Sequence, residues 1–251
     1  MLPKFLIALA SFAFAGKACA ALTVLPPQPI THTLTVNPII VSNTSGQVAT
    51  FFGTDTQRLE IEGFVDTIMS QAGIDVEWLS PQFLTNNNAL YDSNASGIPL
   101  QFFSQLTSDT IESTVPSVVN MWFVHTVPGQ SHPPSSQVRG HALVDAEGVA
   151  MSINANTQST FGVLGREAIA AVVSHELAHN LGLQHVTITN NLLEANIMGH
   201  QLNASQISTI FTDAPGFDGF DLLVEIPAIP EPGSALLLLC VTGVVLARRR
   251  R

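Results

Sequence analysis

The chain has 251 residues, a formal net charge of −10 and two cysteines, and 46% of it is hydrophobic. That length accommodates one substantial domain plus end segments. The nine basic residues are Lys4, Lys17, Arg58, Arg139, Arg166 and Arg248 to Arg251, so the middle of the chain is strongly acidic, which argues against nucleic acid or anionic membrane surfaces as partners. Calcium would suit such a surface, but no residue pattern supports it.

The first twenty residues combine Lys4, an apolar run from Phe5 to Phe14 and the small-residue site Ala18-Cys19-Ala20. They read as a secretory signal peptide cut by signal peptidase after Ala20. A lipoprotein site at Cys19 is the weaker alternative, because Gly16 and Lys17 stand where aliphatic and small residues are usual. Cleavage leaves Cys240 as the one remaining cysteine, so no intramolecular disulfide is expected.

The β-branched run Thr31 to Val41 predicts a first strand. Leu59, Phe64, Val65, Ile68 and Met69 recur at near-helical spacing and predict a helix from Asp55 to Ala72, stopped by Gly73. A short strand follows at Ile74 to Leu79. Pro81 to Pro116 reads as a loop region holding one helix near Pro99 to Leu106. Ser117 to Val127 has the apolar run of a buried strand, and Ser131 to Gln137 is a Pro/Ser-rich loop. Two strands are predicted at Gly140 to Asp145 and Val149 to Asn154, around Ala146-Glu147-Gly148.

Arg166 to Leu181 predicts a helix with a buried stripe of Ala168, Ile169, Val172, Val173, Leu177 and Leu181. Its end carries the most informative pattern of the chain, HExxHxxGxxH from His175 to His185. His175 and His179 are one helical turn apart on the same face, so both imidazoles can reach one ion. Gly182 can take the left-handed conformation that ends a helix, letting His185 approach from outside the helix axis. Three neutral imidazoles leave a fourth zinc position open, the arrangement of a catalytic site. The five fixed positions coincide by chance at roughly one start in ten million. Downstream, Asn203 is a candidate N-cap with Gln206 at the matching third position, opening a helix through Phe211.

This signature resembles that of the metzincin metallopeptidases, and Asn196-Ile197-Met198-Gly199 resembles their methionine turn. Taken alone, a methionine such as Met198 is more often a core filler. The resemblance implies an α+β fold: a mixed, twisted β-sheet over an active-site helix, with a small C-terminal subdomain below the cleft. It implies one catalytic zinc ion on His175, His179 and His185, with Glu176 as general base in peptide hydrolysis. Gly140-His141-Ala142 would then lie on the edge strand along which a protein or peptide substrate adds itself. Three departures limit the subfamily: Val186 replaces a polar residue, no mature cysteine can act as a zinc plug, and His200 stands where some members carry a tyrosine. His200 is a candidate transition-state donor, although a polar residue outside the zinc shell is the commoner outcome. His125, His132 and His141 lack ligand spacing.

The tail has three parts: Pro230-Glu231-Pro232, an uncharged stretch from Ala235 to Ala247, and four arginines. It resembles the PEP-CTERM sorting signal of Gram-negative bacteria, which an exosortase recognises. An ordinary C-terminal membrane anchor has the same topology, but this apolar stretch is short against the ~20 residues a span needs. The expected organisation is a signal peptide at 1–20, a catalytic domain at 21–226 and a sorting and membrane segment at 227–251. The protein would be exported to the cell surface or extracellular matrix, transiently anchored. The alternative to a peptidase is a noncatalytic PEP-CTERM surface or matrix protein keeping a metal-stabilised metzincin fold.

Overall fold

The computed structural model describes residues 22–49, 51–85, 113–124, 140–142, 149–151, 164–194, 199–212 and 219–227. The targeting segments, the predicted helix near Pro99 to Leu106, the Pro/Ser-rich loop and Met198 lie outside these residues.

Among the described residues strand β1 (His32–Ser42) organises a mixed seven-stranded sheet, in the order β2 (Ile74–Trp78), β1, β4 (Val118–Phe123), β6 (Val149–Met151) and β5 (Gly140–Ala142). Its first half pairs in parallel with β2 (Ile74–Trp78) and its second half with β3 (Gln82–Thr85). On the other side lies β4 (Val118–Phe123), also parallel, followed by β6 (Val149–Met151). β5 (Gly140–Ala142) pairs antiparallel with β6 and ends the order, as the edge-strand expectation required. β7 (Leu223–Glu225) returns to pair antiparallel with the start of β1.

Pro38 sits inside β1, a position that normally argues against a central strand because proline cannot donate to the ladder. The break between its neighbours resolves this. The Val36 carbonyl accepts from Leu79 N–H on the β2 side, so by the two-residue period Pro38 nitrogen faces that side too. There β2 pairs only to Val36 and β3 begins at Ile39, so the missing donor falls in the gap.

Helix α1 (Asp55–Met69) opens on a capping box between Thr54 and Gln57. It closes through a 3₁₀ turn, Ser70–Ala72, onto Gly73 at φ 72°, so the predicted stop holds while the last turn tightens. Of the residues that predicted it, Val65, Ile68 and Met69 are buried, whereas Leu59 is exposed and Ile61 takes a core place instead. Helix α2 (Leu164–Asn180) runs beside α1 and beneath β5 and β6, tied to α1 by an ion pair between Arg166 and Glu60. The single stripe predicted for it is too narrow: Ala170, Ala171 and Ala178 are buried as well, so the helix is enclosed on nearly every side. Small residues there let the sheet and α1 approach closely.

Two strands were not legible as such. β3 lies at the head of the predicted loop region 81–116, and β7 near the end of the domain; both are short, and both exist through pairing with β1. All six β4 residues are buried, as its apolar run predicted. After α2 the described chain holds α3 (Ala204–Ile210), with the predicted Asn203–Gln206 capping box present, then a 3₁₀ turn, Gly219–Leu222, leading into β7.

Candidate metal centre

Helix α2 ends in a hydrogen-bonded reversal that places the third histidine. Gly182 has φ 86°. Its N–H donates to the His179 carbonyl, and Leu183 N–H donates to the Ala178 carbonyl. This is the Schellman pair, which closes the helix and turns the chain back across its own end. His185 thereby returns to the face that already carries His175 and His179.

The three histidines expected as ligands are brought together. Their Nε2 atoms form a triangle with all three separations at 3.1 Å. Nitrogens each about 2.0–2.1 Å from one zinc ion stand about 3.0–3.4 Å apart, so the triangle has the dimensions of a three-nitrogen zinc site. The outer nitrogens decide the tautomers. His175 Nδ1 lies 2.6 Å from the Leu192 carbonyl oxygen and His179 Nδ1 lies 2.6 Å from the Leu183 carbonyl oxygen. A carbonyl can only accept, so both Nδ1 atoms carry the proton and both Nε2 atoms present lone pairs inward. These two lone pairs converge and repel, with His185 Nε2 3.1 Å from each, and a shared cation satisfies the three nitrogens at once. The donor set therefore fits zinc.

Burial grades across the cluster. His179 is buried, His175 half-buried and His185 exposed, so the cluster opens to solvent on the His185 side. Burial holds the His175 imidazole below its ordinary pKa, and the neighbouring His185 acts in the same direction, against the Leu192 carbonyl bond that raises it. A neutral imidazole is the form a metal requires.

Glu176 follows His175 on α2 and is only 6% exposed. Burial alone pushes its carboxyl up to about 8. A dication held by the adjacent histidines would favour the carboxylate. Ser174 and Asn180 on the same helix are fully buried.

His200 belongs to a segment laid against the loop that follows the third histidine. Its N–H donates to the Asn190 carbonyl, its own carbonyl accepts from Gln71 Nε2 at 2.6 Å, and burial lowers its imidazole pKa. Gly199 beside it packs so closely that a Cβ would lie 2.1 Å from the Asn191 carbonyl oxygen. Only glycine fits there. His141 lies on the edge strand β5; its side chain and all of His125, His132 and Met198 are outside what is described.

Sequence reasoning missed Gln71, which is buried in the 3₁₀ turn after α1 and bonded to both Leu25 and the His200–Leu202 segment. It also missed the Asn191–Gln206 side-chain pair. The signal available for these was polarity inside otherwise apolar surroundings, without any spacing to name the partner.

No protein-family model matches the chain, and no curated protein matches its sequence. Among solved structures, the archaemetzincin of Methanopyrus kandleri aligns over 76% of this chain and 93% of its own, at 12% identity and a TM-score of 0.38. Metalloproteinase-II of Bacteroides fragilis aligns over 74% of this chain at 12% identity and a TM-score of 0.45, and this chain spans 54% of its length. The archaemetzincin of Archaeoglobus fulgidus aligns over 70% of this chain and 91% of its own, at 12% identity and 0.36. At such identities and scores, what speaks for the chemistry is this chain's own three-histidine cluster.

Proposed function

We propose that this protein is an exported zinc endopeptidase, sorted to the cell surface by its C-terminal segment. The observation that carries the proposal is the triangle of Nε2 atoms, 3.1 Å on each side, with two of the three rings locked by backbone carbonyls in the tautomer a metal needs. When bound, zinc supplies Lewis acidity: it polarises a scissile carbonyl and lowers the pKa of a water to about 7.

The chain's own residues do the rest. His175, His179 and His185 hold the ion. Glu176, enclosed beside them, takes a proton from the attacking water and delivers it to the departing amine. The edge strand β5, which packs over α2, offers backbone groups to an extended peptide. The segment after α2 that carries His200 contributes the lower wall of the substrate cleft.

Purified residues 21–229 should bind one equivalent of zinc and cleave a denatured protein, and a chelator should abolish the cleavage. Glu176→Ala should keep zinc and lose roughly 100- to 10,000-fold in rate, the usual contribution of a general base. Stoichiometric zinc in His179→Ala would sink the ligand assignment. An inactive wild type that still binds zinc would favour a noncatalytic surface protein.

Export and sorting rest on the two end signals. Mass spectrometry of the mature protein should find Ala21 at the N-terminus and Arg248 to Arg251 removed. An intact tail would indicate a simple anchor. Among the described residues no helix is long and apolar enough to cross a membrane.

A further inference from the structure

We propose that the buried amide pair Asn191–Gln206 is a positioning device for the metal centre, setting zinc affinity through two of the three ligands; this rests on the zinc reading above. Both residues lie outside the three-histidine ligand set. Both act through the backbone between them.

The pair is reciprocal and its orientation is forced. Asn191 Nδ2 donates to Gln206 Oε1 at 2.8 Å, and Gln206 Nε2 donates to Asn191 Oδ1 at 2.9 Å. Each oxygen also accepts a backbone N–H: Leu193 donates to Asn191 Oδ1 and Asn203 donates to Gln206 Oε1, both at 2.9 Å. Neither amide can flip without setting donor against donor. Asn191 is 3% exposed and Gln206 7%, so solvent does not replace a lost partner.

The segment this pair clamps carries two consecutive carbonyls that serve the metal site. Leu192 oxygen accepts from His175 Nδ1 at 2.6 Å. Leu193 oxygen accepts the N–H of Val186, the residue next to His185, at 3.0 Å. One fixed segment thus orients a ligand on helix α2 and the backbone of the ligand that returns from its end. The third ligand, His179, pairs instead with the Leu183 carbonyl within the helix reversal. Partners of metal-bound histidines typically contribute 10- to 100-fold to metal affinity; here the partners are carbonyls, and the side-chain pair holds them in place.

The test compares zinc dissociation constants, by competition with a chromogenic chelator, for wild type, Gln206→Ala, Gln206→Glu and Asn203→Ala. Gln206→Glu is nearly isosteric and keeps the acceptor for Asn203 and for Asn191 Nδ2, but it loses the donor to Asn191 Oδ1, so it serves if Gln206→Ala does not fold. Asn203→Ala removes the α3 cap acceptor and leaves the amide pair. Both Gln206 variants should weaken zinc binding, by about 10- to 100-fold for Gln206→Ala, and should alter the visible spectrum of the cobalt-substituted site. Asn203→Ala should lower the melting temperature with zinc affinity and cobalt spectrum unchanged. Wild-type affinity in folded Gln206 variants would overturn the proposal. Equal weakening in Asn203→Ala would do so too, by making helix capping the cause. A wild type that takes up no zinc would instead overturn the metal reading itself, and the clamp's role with it.

Discussion

Replacing Gln71 with leucine should destabilise the protein by about 0.5–4.5 kcal/mol, centred on about 2.5, and the hydrogen bonds of this one side chain set the magnitude. Gln71 is 1% exposed and uses all four of its hydrogen-bonding capacities. Its Nε2 donates to the Ile68 carbonyl at 2.9 Å and the His200 carbonyl at 2.6 Å. Its Oε1 accepts Leu25 N–H at 3.0 Å and, more weakly, Leu202 N–H at 3.4 Å. Leucine has a similar volume, so no large cavity opens. The buried Leu202 N–H loses its side-chain acceptor at up to about 1–3 kcal/mol, the lower end given its length. The three other bonds contribute about 0.5–1.5 kcal/mol each, and burying an apolar group in place of the amide returns about 1–2 kcal/mol. The net is a large share of a typical 5–15 kcal/mol stability. Urea unfolding of the zinc-free protein at pH 7, with an unchanged m-value, measures it. A loss below about 0.5 kcal/mol would refute the claim that Gln71 ties the N-terminal segment, α1 and the His200 segment together.

Three further changes test other links. Gly182→Ala forces a Cβ onto φ 86°, which should cost about 1–2 kcal/mol and weaken zinc binding, because Leu183 oxygen orients His179; wild-type zinc affinity would separate the helix reversal from the site. For Asp66, burial, then the Asp75 carboxylate and, more weakly, Glu62, outweigh the Val76 N–H bond and push the carboxyl up from 3.8 to about 6. A folded pKa above the unfolded one contributes stability that is full below about pH 4 and lost as pH rises through about 6. Asp66→Asn, which keeps an acceptor for Val76, should therefore gain about 1–2 kcal/mol over wild type at pH 8, discounted for partial exposure, and little at pH 4; equal gains at both pH values in urea titrations would contradict this. His200→Phe should retain zinc and lower the turnover number by roughly ten- to a thousandfold, the range for losing one oxyanion donor. Unchanged kinetics would place His200 outside the reaction, and lost zinc would make it a ligand.

The residues of the metal cluster were legible in the sequence because their geometry is local. Spacing of i and i+4 on a helix puts His175 and His179 on one face, and a glycine three residues on permits the reversal that delivers His185. The same locality made the Gly73 stop and the Asn203–Gln206 capping box readable, since each joins residues within one helical turn. The buried strand β4 was legible from its apolar run, whereas the edge place of β5 was implied by the family resemblance. Tertiary structure decided the rest. β3 and β7 are strands because β1 offers them hydrogen bonds, and Pro38 is tolerated because β2 ends before β3 begins. Gln71 finds the His200 carbonyl 129 positions away, and Gln206, already half of a local cap, acquires its second role only when Asn191 is folded against it. A buried amide announces that it needs partners, but which partners it meets depends on how the chain packs, and that packing brings three histidines on a reversing helix end into one cluster, two of them with a tautomer set by a backbone carbonyl.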